Sequence, residues 1–116
     1  MTGLNRGDVV LVWFPNSNLS SFKQRPALVV EANNLRTDLS QVVVSMITSN
    51  LARSGHPSRV LIPLATPEAA DAGSRTDSVV VTDNLATVMD KPIARKLGQL
   101  KNMTRVDIAL RHTLAL

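Results

Sequence analysis

The chain has 116 residues, of which 44% are hydrophobic and 19% are charged, a composition that fits one folded domain and excludes intrinsic disorder. It contains no cysteine, which excludes a disulfide scaffold, thiolate metal sites and a cysteine nucleophile. The net charge of +4 suits a polyanionic partner such as nucleic acid, although charge alone does not establish one.

No apolar run approaches the roughly 18 to 20 residues that a membrane-spanning helix needs. The polar segment 1–6 has no apolar core of signal-peptide length. We therefore expect no contact with a membrane, a cytoplasmic location, and a single domain over residues 1–116.

Short β-branched and apolar runs, separated by turn residues, predict strands in the first half of the chain. The first strand is expected over 8–14, and the Ser- and Asn-rich segment 15–25 after it is expected to be a mobile loop. A short second strand is expected to begin at Pro26, because sheets tolerate proline at the first residue of a strand. Gln41–Thr48 predicts a central third strand.

The following segments mix strands with helical signals. Residues 49–58 predict a second exposed loop, and a brief strand follows over 59–64. Thr66 can cap a single helical turn that ends at Gly73. The remaining strand predictions are a fifth strand over 78–82 and short strands or edges around 86–89 and 93–100.

The C-terminal segment predicts the one sizeable helix. Asn102 can cap it, and Thr104 with Asp107 offers a second capping pair, so its start is open by about a turn. The apolar residues at helical spacing are Met103, Val106, Ala109, Leu110 and Leu114. Many short strands with one terminal helix predict a small barrel or sandwich.

Four segments occur in a distinctive order: RGDVVLVWF at 6–14, KQRPALVV at 23–30, VVVSMITS at 42–49 and DSVVVTDNLATV at 77–88. Together they resemble the PemK/MazF toxin family. LGQL at 97–100 and the helical tail that follows are similar to the last strand and helix of that family. The resemblance implies a mainly β fold with one C-terminal helix, arranged as an SH3-like small β-barrel.

The same resemblance implies a function. It is that of a type II toxin, a homodimeric endoribonuclease that cleaves single-stranded RNA, in the cell messenger RNA, at short sequences and is restrained by a cognate antitoxin protein. Cleavage would proceed by attack of the 2′-hydroxyl on the adjacent phosphate, so neither a metal nor any other cofactor is expected. The recognised bases would depend on the loops at 15–24 and 49–58.

Three catalytic residues are carried over from the resemblance. Arg25 of the RPALVV motif and Thr48 at the end of the third strand match the two catalytic positions of the family, and Asp83 matches the acid after the fifth strand. Arg25 suits the scissile phosphate because a guanidinium can hold two oxygens at once. Thr48 can donate a hydrogen bond to the same oxygens, and Asp83 is the candidate general base.

Further residues are expected to contact RNA: Lys23, Ser49, Phe22, Arg53 and His56. Two departures from the family pattern accompany them, because Val81 stands where some members carry an arginine and the first loop lacks a histidine. Lys23 is a candidate replacement for the missing cation. Phe22 is expected to be exposed, where it would stack on a base, dock the antitoxin or pack back onto the sheet.

Plainer interpretations stand beside these. Arg25 would pair with a carboxylate at the rim of the sheet, Asp83 with Asn84 would form a turn, and His56 would be a solvated loop residue. Two alternative functions also remain at this stage. One is a binding poison of a macromolecule such as gyrase, of the CcdB type, and the other is a catalytically decayed barrel that binds RNA or antitoxin.

Overall fold

A computed structural model describes residues 3–15, 20–89 and 91–116, and there the chain forms one antiparallel sheet with two helices. The strands are β1 Asp8–Pro15, β2 Phe22–Val29, β3 Gln41–Thr48, β4 Arg59–Ile62, β5 Ser78–Met89 and β6 Ile93–Gln99. The helices are α1 Pro67–Ala72 and α2 Thr104–Leu114. The strand order across the sheet is β4-β5-β3-β2-β1-β6, so the predicted mainly β fold with a C-terminal helix is confirmed.

Both faces of the sheet are buried. Successive residues of a strand point to opposite faces, so their apolar side chains pack into two different core clusters. One cluster lies under the helices, where Val9, Leu28 and Val80 meet Ala69 of α1 and Val106 of α2. The other is built from strand residues: Val10, Val12, Ala27, Val29, Val42, Val44, Met46 and Val88. The runs of consecutive apolar residues in β1, β2 and β5 follow from this burial on two sides.

Several elements have the expected local cause. β3 has its predicted bounds, and the helical turn is α1, in which the Thr66 hydroxyl accepts a hydrogen bond from the Ala69 N–H at 3.3 Å. Gly73 ends α1 in the left-handed conformation with φ of 73°. α1 then packs closely on β6, because a Cβ on Gly98 would overlap the carbonyl groups of Asp71 and Ala72.

The prediction for the second strand was wrong at its start. β2 begins at Phe22, so Lys23, Gln24 and Arg25 lie in a strand and Pro26 is an interior residue. Residues 22–26 pair with β1, whereas pairing with β3 begins at Ala27. A proline there costs no ladder hydrogen bond on the β1 side, which is why the strand continues through it. Residues 16–19 of the predicted loop lie outside the described residues.

The fifth strand is longer than predicted, and the predicted turn at Asp83-Asn84 is instead a bulge inside it. Met46 pairs with Val81 and the next β3 residue, Ser45, pairs with Leu85. Three residues, 82–84, therefore have no partner on β3. The buried Thr82 hydroxyl holds the bulge through the Ser58 carbonyl at 2.6 Å and the Thr113 hydroxyl of α2 at 2.8 Å.

The C-terminal helix starts at Thr104, and the Asn102 side chain accepts from the Thr104 N–H at 3.0 Å. Asp107 takes no part in a capping pair, because its carboxylate binds Arg6 at 2.6 Å. The apolar face is shorter than predicted, since Leu114 is 49% exposed. Neither helix in the described part of the chain is long and apolar enough to span a membrane.

Candidate active site

Arg25 and Thr48 lie on neighbouring strands, just beyond the end of the ladder that joins them. The β2–β3 ladder pairs Leu28 with Ser45 and ends where Ala27 pairs with Met46. Two residues further along, the same register places Arg25 opposite Thr48. Side chains two apart on a strand share a face, so both point to the side of Ala27 and Met46.

Pro26 explains why the ladder ends at this point. The Val30 N–H donates to the Val43 carbonyl of β3 at 3.1 Å, and backbone groups alternate along a strand. Even-numbered residues of β2 therefore direct their backbone groups toward β3. Pro26 is one of them and has no N–H to donate. The Arg-Pro pair thus combines a cation with the residue that ends the ladder beside it.

A cavity of about 450 Å³ opens at the end of this ladder. It is lined by Lys23, Gln24, Arg25 and Pro26 of β2, by Met46, Ile47 and Thr48 of β3, and by Ser49, Thr76, Ser78, Val81 and Asn84. Arg25 is exposed, and among the described residues neither it nor Lys23 pairs with a carboxylate. The plainer interpretation of Arg25 as a rim ion pair is therefore not met in that part of the chain.

Thr48 has a hydroxyl that is already oriented. Its oxygen accepts a hydrogen bond from the Asn50 N–H at 3.1 Å, which leaves the O–H to donate. The neighbouring Ser49 is exposed at the mouth of the cavity. The cavity therefore presents a guanidinium, an ammonium and two hydroxyls on one surface.

A smaller cavity of about 190 Å³ adjoins the first and shares Thr48 with it. Its other lining residues are Asn50, Ala52, Arg53 and Arg59. Together the two cavities run from the first half of β2, across the end of β3, to the start of β4. Four cationic side chains follow this line: Lys23, Arg25, Arg53 and Arg59.

Comparison with known proteins identifies the family of the chain. The profile of the family described as PemK-like, MazF-like toxin of type II toxin-antitoxin system matches residues 5–114. The chain belongs to that family. Endoribonuclease MazF2 of Mycobacterium bovis and endoribonuclease MazF6 of Mycobacterium tuberculosis are each 30% identical to the chain over 105 residues, which is 88% of both sequences.

A solved structure of a mycobacterial endoribonuclease in complex with its cognate antitoxin has the same fold. It superposes with a TM-score of 0.74 at 22% identity and covers 98% of this chain and 97% of its own. The predictions of a PemK/MazF-like toxin and of an endoribonuclease are confirmed. The family also decides against the binding poison of the CcdB type.

Asp83 of this MazF-like toxin lies outside the larger cavity, which Asn84 lines instead. Its carboxylate binds Arg59, with Nε to Oδ1 at 3.0 Å and Nη2 to Oδ2 at 3.3 Å. These hydrogen bonds hold the pKa of Asp83 below its ordinary value. A general base needs the opposite shift, so the local electrostatics weigh against that role for Asp83.

Of the other residues predicted to contact RNA, some line the two cavities and some do not. Arg53 and Ser49 line the cavities, whereas His56 and Phe22 line neither of the two. The His56 ring accepts from the Ser58 N–H at 3.1 Å and packs edge-on to His112. Phe22 is 63% exposed as expected, but it lies at the start of β2 rather than in a loop.

Sequence reasoning missed several residues of the toxin's site: Arg59, Asn50, Gln24, Thr76 and Asn84. Arg59 is the most informative, because it pairs across the sheet with Val81, the position where an arginine was noted as missing. A cation at the first residue of a strand after an exposed loop was the available signal. Arg59 lies close to Thr48 because the strand order is β4-β5-β3, and this order could not be predicted from the sequence.

Metal ligation is not supported by the side chains of the described residues. Within 3–15, 20–89 and 91–116, no three or more His, Cys, Asp or Glu residues lie close enough together to hold an ion. The lining of the larger cavity contains amide, hydroxyl and cationic groups but no carboxylate or imidazole. That surface is complementary to an anion.

Proposed function

We propose that this endoribonuclease toxin cleaves single-stranded RNA by attack of a 2′-hydroxyl on the adjacent phosphorus. Arg25 and Thr48 hold the non-bridging oxygens of the scissile phosphate. The observation that carries the proposal is their place just beyond the end of the β2–β3 ladder, on the wall of one cavity. This reaction expels the 5′-oxygen and leaves a 2′,3′-cyclic phosphate and a 5′-hydroxyl.

Arg25 supplies the positive charge that the reaction needs. Attack on the phosphorus adds negative charge to the oxygens, and a guanidinium that stays protonated binds two of them in a bidentate geometry. Because no carboxylate of the described residues neutralises Arg25, its charge is available to the substrate. Thr48 adds a directed hydrogen bond, and Lys23 and Ser49 contact the same backbone.

Proton transfer is the weaker part of the catalysis. The lining of the cavity contains no carboxylate or imidazole, and Asp83 is committed to Arg59. The 2′-hydroxyl proton then passes to water, the departing 5′-oxygen takes a proton from water, and the rate depends on stabilisation of the charged transition state. Such stabilisation is often the largest single contribution to catalysis. We therefore propose a slow enzyme that works without a metal and without a positioned base.

The test is cleavage of a long single-stranded RNA in EDTA by the wild-type protein and the Arg25→Ala variant. Arg111→Met is the matched control, because Arg111 is an exposed arginine of α2 that lines neither cavity. We expect discrete cuts by the wild type and the control and none by Arg25→Ala. A 2′-deoxy nucleotide at a mapped cut should abolish that cut alone.

Three results would count against the proposal. Cleavage that requires a divalent ion would remove the metal-free mechanism, and cleavage of the 2′-deoxy substrate would remove the 2′-hydroxyl as nucleophile. If folded wild-type protein cuts no RNA, the alternative of a catalytically decayed barrel that binds RNA or antitoxin would be favoured. The fragment ends, read by their reactivity to phosphatase and kinase, provide an independent check on the cyclic phosphate.

The proposed partners follow from the relatives. One of the structural neighbours is an endoribonuclease bound to its cognate antitoxin, and we propose that this toxin likewise binds an antitoxin and acts in the cytoplasm, where messenger RNA is found. The net charge of +4 suits an acidic antitoxin segment. Absence of a complex with the product of the neighbouring reading frame would contradict this.

We also propose that the sheet curves into an SH3-like barrel. The core cluster opposite the helices contains residues of β1, β2, β3 and β5, with Ile93 of β6 packed against it. A flat sheet would leave this cluster uncovered, so its burial is best accounted for by strands that curve around it. Backbone contacts between β6 and the second half of β5, measured by NMR, would test the closure.

A further inference from the structure

The smaller cavity is lined almost entirely by polar and cationic side chains. Apart from Ala52, its lining residues are Thr48, Asn50, Arg53 and Arg59. The Thr48 oxygen accepts from the Asn50 N–H at 3.1 Å, and the Asn50 side-chain oxygen accepts from the Ala52 N–H at 3.0 Å. Local backbone groups therefore occupy one lone pair on each of these two oxygens. The groups left to hold a ligand are mainly donors, the amide NH₂ of Asn50 and the two guanidinium groups, since the Thr48 O–H is assigned to the scissile phosphate.

Arg59 is held in a defined orientation. Its Nε and Nη2 bind the two oxygens of Asp83 at 3.0 and 3.3 Å, and its side chain is only 18% exposed. A guanidinium carries five N–H groups, so Nη1 and one hydrogen of Nη2 are left for a ligand. Asp83 thereby fixes the plane of the guanidinium before any ligand arrives, which lowers the ordering cost of binding.

The local charge is positive despite that ion pair. Arg53 is exposed on the loop after β3 and pairs with no carboxylate of the described residues. Arg53, Arg59 and Asp83 together leave one net positive charge at the cavity. A donor-rich surface with a net positive charge is complementary to an anion with several oxygens.

We infer that this cavity is a second phosphate subsite, which binds the phosphodiester next to the scissile one. Thr48 belongs to both cavities, so an RNA backbone whose scissile phosphate lies at Arg25 passes directly onto Arg53 and Arg59. The inference rests on the proposed function for the identity of the first phosphate. In this arrangement Asp83 is a positioning residue that acts through Arg59.

The test is the salt dependence of RNA binding. The probe is a single-stranded oligonucleotide that spans a mapped cut and carries a 2′-deoxy nucleotide there, so that it binds without being cleaved. Arg53→Met and Arg59→Met should each lower the slope of log K against log salt, and the double variant should lower it by about 0.7, the value for one phosphate of a single strand. Arg111→Met should leave the slope unchanged.

The position of the contact is tested with neutral methylphosphonates placed one at a time along the probe. In the wild type, one substitution beside the cut should weaken binding, and in Arg53→Met the same substitution should have no further effect. Arg59→Lys keeps the charge but not the two-pronged geometry, so it should keep the slope and lose affinity. Arg53 lies in an exposed loop, so its variant tests the subsite even if Arg59→Met does not fold.

Unchanged slopes in both arginine variants would overturn the inference. So would variants that bind RNA normally but lose antitoxin, because the cavity would then receive carboxylates of the antitoxin. The proposed function has a separate readout, since wild-type cleavage in EDTA can persist while the subsite fails. If the wild type cuts nothing, the proposed function fails, and the same slopes measured on intact RNA still decide the subsite.

Discussion

Neighbouring acceptors and carboxylates determine what each polar residue of the site can offer to RNA. Arg25 has no carboxylate partner among the described residues, whereas Arg59 shares its charge with Asp83. Thr48 is an ordinary strand residue by composition, but the Asn50 N–H that binds its oxygen turns the hydroxyl into a donor. Chemistry at this scale therefore depends on hydrogen bonds that are local and identifiable.

Replacement of Thr48 tests the donor directly. Thr48→Val keeps the shape but removes the hydroxyl, so the single-turnover cleavage rate should fall on the order of a hundredfold to a thousandfold, as for other donors to a developing oxyanion. Thr48→Ser should stay close to the wild type. A Thr48→Val enzyme with an unchanged rate would show that the hydroxyl makes no contact with the transition state.

The Arg59–Asp83 pair predicts a pH dependence of stability. The folded pKa of Asp83 is lowered, so the pair stabilises the fold fully above the unfolded pKa and ceases to do so as the pH falls through the folded value. A double-mutant cycle with Arg59→Met and Asp83→Asn should give a coupling below about 1 kcal/mol at neutral pH, because the pair is partly exposed. Urea unfolding should show that the coupling declines as the pH falls below about 4 and disappears below the folded pKa, and a coupling that does not decline with falling pH would contradict the assignment.

Strand ends, rather than loops, position the active site of this toxin. Pro26 ends the β2–β3 ladder, the bulge at 82–84 lets β5 continue past the site, and β4 brings Arg59 alongside. Each device is a small irregularity in an otherwise regular sheet. Arg25, Thr48 and Arg59 therefore lie on strands, which hold them more firmly than the loop holds Ser49, Asn50 and Arg53.

Pro26→Ala is expected to let the ladder extend. The variant gains an N–H directed at β3, which can pair with Ile47 and draw the two strands together under the cavity. Cleavage should fall by up to about a hundredfold, since misplacement by one ångström can cost that much. Hydrogen exchange should show the new amide at position 26 protected, and full activity with a protected amide would contradict the proposed role of Pro26.

The packing of α1 on β6 predicts a second effect at this scale. Gly98→Ala would place a Cβ against the carbonyl groups of Asp71 and Ala72, so it should destabilise the fold by roughly 1–3 kcal/mol, the usual cost of overpacking. Gly55→Ala is the control, because nothing lies within 4 Å of a Cβ there. Thermal unfolding measures both, and equal stabilities would mean that α1 shifts freely.

Much of this element structure could be predicted from the sequence, because apolar runs and capping residues are local signals. Gln41–Thr48 and the turn from Thr66 to Gly73 are examples that proved right. The errors at Phe22 and Asp83-Asn84 have a common cause, since Ser, Asn and Asp favour turns in isolation and sheet pairing overrides them. Arg25 and Thr48 came from family resemblance, whereas Arg59 required the strand order.

At the scale of the whole molecule, the family predicts a homodimer. Light scattering at micromolar concentration should give twice the chain mass of 12.5 kDa. A mass that stays at the monomer value across that range would remove the dimer from the proposal. Cleavage measured over the same dilution series would show whether activity follows the assembled fraction.

The two ends of the chain meet in the finished protein. Arg6 binds Asp107 of α2 at 2.6 Å, across 101 positions, and Thr82 behind the site reaches Thr113 of the same helix at 2.8 Å. A chain cut short before α2 therefore lacks the contacts that hold the segment before β1 and the bulge behind the site. Cells selected for survival after toxin induction should accordingly yield premature stop codons throughout the reading frame, including within the final helix, rather than only upstream of Arg25.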